Sequence, residues 1–172
     1  MISAILLLEW NNDLVYADHE NTIMKQPPFE KMYFDIGYKS IEEALDECEA
    51  KYQRSLHLPF QLPPLEFTHQ FGRFSDLEGG MNDDFEIEYI NEHSPQNHYK
   101  ISVRPLEHAI SIKKERIDRI YTFQDGTKAL YVNGVAIGFN LLVFEKDHWQ
   151  YILSIDKRVA KRSRTSQSRC TE

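Results

Sequence analysis

The acidic side chains between positions 76 and 88 are the densest group of residues that could do chemistry. Carboxylates can supply oxygen ligands to calcium, and a pair of them can hydrolyse a glycosidic bond. Their order does not match the EF-hand loop, and no second feature of the sequence selects a hydrolytic pair. A solvated strand face and loop is therefore the favoured interpretation of Asp76, Glu78, Asp83, Asp84, Glu86 and Glu88.

Seven histidines and two cysteines are the other candidate ligands and nucleophiles. His93 and His98 flank a turn, but two ligands are too few for zinc, which needs three or four. Cys48 and Cys170 have no metal-binding spacing. The sequence also has no serine-hydrolase elbow, no phosphate-binding glycine loop and no metalloprotease motif. We therefore predict no catalytic residues, no metal and no cofactor.

Aromatic residues are concentrated in segments with strand periodicity, and the chain has ten Phe, nine Tyr and two Trp. On the last two predicted strands, such side chains could line a groove for a lipid or a peptide. The alternative is that they form the core of a sheet that a single helix covers. The groove hypothesis assigns ligand contacts to Phe139, Leu141, Phe144, Trp149 and Tyr151.

One helix and a series of strands must position these side chains. A capping box at Ser40-Ile41-Glu42-Glu43, followed by apolar residues at helical spacing, predicts an amphipathic helix over residues 40–54. A proline-rich connector follows, and the apolar period then changes to two, which is typical of half-buried strands. Asp125-Gly126 predicts a hairpin turn. The predicted strands begin at Leu65, Phe85, Tyr99, Ile117, Thr127, Phe139 and His148.

The 172 residues are therefore predicted to form an α+β fold. It has one amphipathic helix followed by a six- to seven-stranded antiparallel, mostly meander sheet, in a single domain over residues 40–156. Residues 1–39 are predicted to be an irregular lead-in, in which residues 1–17 are either a first strand or the remnant of a signal peptide. Residues 157–172 are predicted to be a basic, disordered tail.

The net charge of -7 is unevenly distributed along the chain. The tail holds six bases against one acid, a net of +5, which leaves -12 for residues 1–156. An acidic body repels phosphates, so we expect no nucleic-acid binding by the folded part. No apolar run approaches the roughly 18 residues of a membrane span. Membrane association is therefore expected only if the full-length gene adds a lipid or a signal anchor.

Four segments in order resemble a known family: Ser40–Leu45, Leu58–Pro63, Asp125–Tyr131 and Leu142–Ser154. The resemblance covers about residues 38–156, and the family consists of small Gram-positive extracytoplasmic domains of unknown function. They occur in lipoproteins and on the outer side of anti-sigma-factor-like membrane proteins. Here Phe144 stands where Trp is usual, and His148 where Gly is usual. The resemblance implies a curved, lipoprotein-carrier-like sheet and helix, and by analogy favours the groove hypothesis.

The leading hypothesis is a non-catalytic, extracytoplasmic domain that binds an apolar ligand or a protein partner. One alternative is a cytoplasmic binding or inhibitor protein whose acidic body attracts a basic partner, and the weak N-terminal signal favours it. The other alternative is a hydrolase that uses the acidic loop, which no motif supports.

Overall fold

The computed structural model describes residues 28–59, 61–76, 83–133 and 138–159. They form a seven-stranded antiparallel sheet with a few helices, which confirms the predicted α+β class. Two α-helices come before the sheet: α1, Phe29–Asp35, and α2, Ile41–Tyr52. The strands are β1 His69–Ser75, β2 Asp84–Ile90, β3 His98–Pro105, β4 Arg119–Thr122, β5 Lys128–Asn133, β6 Phe139–Lys146 and β7 Trp149–Asp156.

The strand order in the sheet is β1-β2-β3-β7-β6-β5-β4, and each neighbouring pair is antiparallel. Two meanders, β1 to β3 and β4 to β7, meet where β3 lies beside β7. The segment between them, residues 106–118, contains two short 3₁₀ turns, Leu106–His108 and Lys114–Arg116. β7 is therefore the central strand, and β1 and β4 are the two edges.

Helix α2 packs against β1 and β2 on one side of the sheet, which we call the helix face. Its first turn has the predicted capping box, because the Ser40 side chain accepts from the Glu43 N–H and the Glu43 carboxylate accepts from the Ser40 N–H. The helix approaches β1 at Gly72, where an added Cβ would lie 2.7 Å from Ile41 Cα and 2.9 Å from Ser40 O. Glycine at 72 therefore permits this close packing of helix on strand.

The main core fills the helix face. Side chains of period two from β2, β3, β5, β6 and β7 meet there under the buried side of α2. The buried members of this core are Ala44, Cys48, Leu56, Phe85, Ile87, Tyr99, Ile101, Val103, Ala129, Phe144, Trp149 and Tyr151.

None of the described helices has the length and apolar character needed to cross a bilayer.

Part of the segment predicted to be an irregular lead-in is helical. Phe29 and Tyr33 lie one turn apart on α1 and pack on Phe71 and Ile90, with Tyr38 completing a second small core. This core lies on the opposite side of the sheet, which we call the second face. Helix spacing within a seven-residue stretch was too short a signal to outweigh the polar composition around it. Residues 1–27 and 160–172 lie outside the described part.

Most predicted strands begin and end within two residues of the observed ones, but β1 does not. Its alternating pattern was expected to start at Leu65, whereas the strand starts at His69. The residues before it follow three prolines and leave the ladder, with only the Thr68 N–H donating to Ile90 O, at 2.9 Å. Between β6 and β7, Asp147 and His148 form a two-residue turn in which both have positive φ, 49° and 70°.

Candidate ligand-binding cavity

The five residues of the predicted groove lie on two different faces of the sheet. Phe144, Trp149 and Tyr151 belong to the core of the helix face. In the β6–β7 register, Phe144 is opposite Tyr151, whereas Phe139 is opposite Asp156 and Leu141 is opposite Ser154. Because side chains alternate along a strand, Phe139 and Leu141 point to the second face. The structure therefore does not bring the five residues together in one groove.

Trp149 is a core residue of the helix face. It is 0% exposed, and its Nε1–H donates to Ser55 O at 3.0 Å. The ring of Tyr52 meets it edge-on at 5.4 Å, and the Arg54 guanidinium lies 5.6 Å from its centroid. These contacts give the indole a structural role, because its faces and its polar hydrogen are all occupied by the protein itself.

Tyr151 and Phe144 form a stacked pair, with ring centroids 4.9 Å apart and planes 5° from parallel. The Tyr151 hydroxyl donates to His57 O at 2.9 Å, which ties the proline-rich connector to the sheet. Burial, and then the charge of Asp147, raises the pKa of Tyr151 to about 12. The two rings border a small cleft of 250 Å³ that Leu58 and Phe123 also line.

A larger cavity lies between the segment 110–112 and the end of the sheet formed by β5 and β6. Its volume is 560 Å³, within the range of small-molecule sites. Leu130 and Val143 point into it from the second face, and Phe144 also borders it. The lining residues, which define what we call the cavity, are Ile110, Ser111, Ile112, Gly126, Thr127, Lys128, Leu130, Val143, Phe144, Glu145 and Gln150.

Gln150 holds the outer wall of the cavity in place. Its side chain is buried, its Oε1 accepts from the Ile110 N–H at 2.7 Å, and its Nε2 donates to Ile110 O at 3.0 Å. The oxygen and the nitrogen of the side-chain amide therefore both bond to the backbone of Ile110 in the connecting segment. Sequence reasoning missed this wall. The available signal was Gln150 itself, a polar residue between Trp149 and Tyr151 in β7.

Two opposite charges stand at the mouth of the cavity. Lys128 on β5 and Glu145 on β6 are adjacent across the strand pair, because the next residues, Ala129 and Phe144, are paired. Both side chains are exposed. With its apolar floor and polar rim, the cavity suits an amphipathic or apolar molecule rather than a highly charged one.

The other end of the second face carries an ionic cluster, formed by Arg73, Glu86, Glu88, His98 and Lys100. Glu86 is 3% exposed and pairs with both Arg73 and Lys100, while Glu88 pairs with Lys100 at 3.3 Å and with His98. The carboxylates that would repel each other along one strand face are thus bridged by cations from the neighbouring strands.

Tyr38 packs against the ionic cluster, and its hydroxyl donates to Glu86 Oε1 at 2.7 Å. Burial alone would raise the pKa of Glu86, but the hydrogen bonds from Lys100 and Tyr38 and the nearby cations lower it overall. The pKa of Tyr38 is raised, chiefly by burial and then by the hydrogen bond to Glu86. The carboxylates are thus paired within the cluster, whereas Arg73 Nε is buried without a hydrogen-bond partner.

The two residues of the acidic loop that the structure describes at its end, Asp83 and Asp84, make contacts within the chain. Residues 77–82 lie outside the described part. Asp83 is buried and accepts from the Tyr52 hydroxyl at 3.1 Å, and Asp84 pairs with Arg104 at 3.4 Å. Within the described ranges, no group of three or more His, Cys, Asp or Glu is placed to hold a metal ion.

Comparison of the chain with protein-family models, with curated proteins and with solved structures finds no match.

Proposed function

We propose that this protein is a non-catalytic binding domain that takes up a small apolar or amphipathic molecule in the cavity between residues 110–112 and strands β5 and β6. The observation that carries the proposal is a 560 Å³ space whose wall is fixed by the Gln150 amide. A wall held by two hydrogen bonds from a buried side chain is pre-organised, which reduces the entropy lost on binding.

The lining of the cavity supports binding of a ligand with both apolar and polar parts. Aliphatic and aromatic side chains form the floor and the outer wall, and Lys128 and Glu145 leave one charge of each sign at the mouth. Apolar contact supplies affinity in such a site, whereas the few polar groups orient the ligand.

The same lining gives no support to catalysis. The polar side chains among the described residues of the cavity are Ser111, Thr127, Lys128, Glu145 and Gln150, and no histidine or cysteine lies beside them. A hydroxyl becomes a nucleophile only with an adjacent general base. Within the described part of the chain no hydrogen bond joins Ser111 or Thr127 to Glu145, the carboxylate of this lining, and Gln150 is already bonded to Ile110.

The test is titration of the purified protein with N-phenyl-1-naphthylamine, a neutral probe that fluoresces in apolar surroundings. We expect saturable binding to the wild type, and an affinity lower by roughly tenfold or more in Leu130→Trp, which fills the cavity. Ile36→Trp is the matched control, because Ile36 is 57% exposed beyond the other end of the sheet. Absence of saturable binding, or equal binding by Leu130→Trp, would refute the proposal.

We further propose an extracytoplasmic location, which is supported by the family resemblance alone. The alternative, a cytoplasmic inhibitor of a basic partner, draws support from the outer side of α2, where Glu42, Glu43, Asp46 and Glu47 are all exposed. Fractionation of the source cells, followed by immunodetection of the chain, separates the two. Recovery in the cytoplasmic fraction would favour the inhibitor.

A further inference from the structure

The two edges of the sheet differ in how they are protected. The β1 edge is blocked by the protein's own chain, because Lys39 and Gly72 exchange both backbone hydrogen bonds, at 2.8 and 2.9 Å. No described segment covers the β4 edge, and all four residues of that strand are exposed. An unprotected edge is a template for pairing with another strand.

The backbone of β4 has hydrogen-bonding groups directed outward at two positions. Phe123 N–H donates to Thr127 O at 2.9 Å, so odd-numbered residues of β4 bond to β5. Bonding direction alternates along an antiparallel strand, and the N–H and C=O groups of Ile120 and Thr122 therefore point away from the sheet. The strand contains neither a proline nor a lysine, which are common devices against edge pairing.

The side chains along this edge are unusually apolar for an exposed strand. Ile120 is 58% exposed, Tyr121 is 45% exposed, and Phe123, just beyond the strand, is 38% exposed. Ile120 projects on the second face, and Tyr121 and Phe123 project on the helix face, where their rings also contact Tyr131 and Phe144. Both faces of the edge therefore offer partly exposed apolar surface to a pairing strand.

We propose that β4 pairs with β4 of a second copy of this chain, in antiparallel orientation about a two-fold axis at Tyr121. In this register Ile120 is opposite Thr122 of the second copy, and each such pair exchanges two backbone hydrogen bonds. Tyr121 lies opposite Tyr121 of the second copy. Arg119 lies opposite Phe123 of the second copy, where a cation–π contact can form. The edge is self-complementary, because no like charges face each other between residues 119 and 123.

The dimer would join two seven-stranded sheets into one continuous sheet. Its interface is short and small compared with standard protein interfaces, so the dimer should dissociate on dilution. A two-fold contact also closes on itself, which limits assembly to two copies. The blocked β1 edge agrees with this, because a head-to-tail contact between β4 and β1 would propagate into fibres.

The experiment is sedimentation velocity of the full chain from about 1 µM to about 1 mM, the range in which weak dimers form. The wild type should shift from monomer to dimer. Tyr121→Lys and Tyr121→Glu should each weaken self-association by about tenfold or more, because like charges then meet at the axis. An equimolar mixture of the two variants should restore dimers, since Lys and Glu then face each other.

Met32→Lys is the matched control, because Met32 is 57% exposed on α1, far from β4, and should dimerise as the wild type does. If the Tyr121 variants do not fold, Thr122→Pro removes one outward N–H without affecting the bonds to β5 and should also weaken the dimer. A wild type that is monomeric at every concentration would overturn the proposal. So would Tyr121 variants that associate normally, a mixture that stays monomeric, or a Met32→Lys variant that is weakened equally.

Discussion

The two ends of the sheet contrast most clearly on the second face. At the β1–β3 end, α1 covers Phe71 and Ile90, and the neighbouring carboxylates are paired with cations from adjacent strands. At the β4–β6 end, the only described cover is the connecting segment held by Gln150. That end leaves a 560 Å³ cavity beneath the segment and, beside it, an edge strand whose four residues are all exposed.

This difference concerns the sheet itself. Its β1–β3 end has a blocked edge and carboxylates paired within the chain, whereas Met32 and Ile36 near α1 stay exposed and a cavity of 410 Å³ lies beside Phe67 and Tyr89. The β4–β6 end has unpaired backbone edges, exposed apolar side chains and a formed cavity. Regions with fewer buried contacts are also the ones expected to open most readily.

Trp149→Ala tests whether the main core of the helix face, rather than the β4–β6 end, determines the free energy of unfolding. It should have the largest effect on that free energy. The indole is 0% exposed on the central strand, and its loss also leaves Ser55 O without its donor. We expect a loss of about 3–5 kcal/mol in the free energy of unfolding, measured by urea denaturation. Ile120→Ala on the open edge should stay within about 0.5 kcal/mol. Similar losses for the two variants would contradict the contrast.

Glu86→Gln tests the ionic cluster at the closed end. It leaves Arg73 and Lys100 without their main partner, but their side chains are 32% and 28% exposed and can reach water. The expected loss is therefore about 2 kcal/mol, less than for a fully buried pair. Glu145→Gln, at the mouth of the cavity on the same face, is the matched control and should be nearly neutral. An unchanged free energy of unfolding in Glu86→Gln would show that the ionic cluster does not contribute to stability.

The acid dependence of stability sharpens the same test. The pKa of Glu86 lies below its ordinary value of 4.5 in the folded protein, so its contribution is present above that pH and is lost as the pH falls through the folded pKa. Asp84 opposes this trend, because burial and the charge of Glu86 raise its pKa. The variant also loses this repulsion between Glu86 and Asp84, so Asp84 does not cancel in the comparison. The stability difference between wild type and Glu86→Gln should still shrink below about pH 4, where the Glu86 carboxylate becomes protonated. A difference that is independent of pH would exclude this charge as its origin.

Local signals allowed much of the fold to be predicted from the sequence. The capping box at Ser40 and the turn at Asp125-Gly126 act over three or four residues, and the strands beyond β1 follow a period of two. The predicted helix and these strands lie close to the observed ones for that reason. Helix α1 was missed, because its packing depends on Phe71 and Ile90, which are distant in sequence.

The candidate site was harder to predict, because it depends on register and on a long connection. An even number of residues in the turn between β6 and β7 pairs Lys146 with Trp149, so odd residues of one strand share a face with even residues of the other. That parity separates Phe139 and Leu141 from Trp149 and Tyr151. The wall at residues 110–112 has no local signal, since it is fixed by Gln150, forty residues away.

The β2–β3 turn and the β6–β7 turn also differ in how their backbone conformation is supported. Between β2 and β3, Asn91 Oδ1 accepts from the N–H groups of His93 and Ser94, and its Nδ2 donates to Glu66 O at 3.1 Å. Between β6 and β7, Asp147 and His148 both have positive φ, a backbone conformation that residues other than glycine rarely adopt. The first turn is supported by side-chain hydrogen bonds, whereas the second carries backbone strain.

Substitution of one exposed histidine in each turn by glycine should therefore change stability in opposite directions, and by less than Trp149→Ala or Glu86→Gln does. His148→Gly relieves a φ of 70° and keeps the backbone bond in which His148 O accepts from Leu106 N–H, so it should stabilise by about 0.5–1 kcal/mol. His93 is not among the positive-φ residues, so His93→Gly adds only freedom to the unfolded chain and should destabilise by a similar amount. Urea denaturation of both variants beside the wild type measures the pair. Destabilisation by both substitutions would mean that the His148 conformation is supported by contacts of its side chain, and the second turn would then not be the strained one.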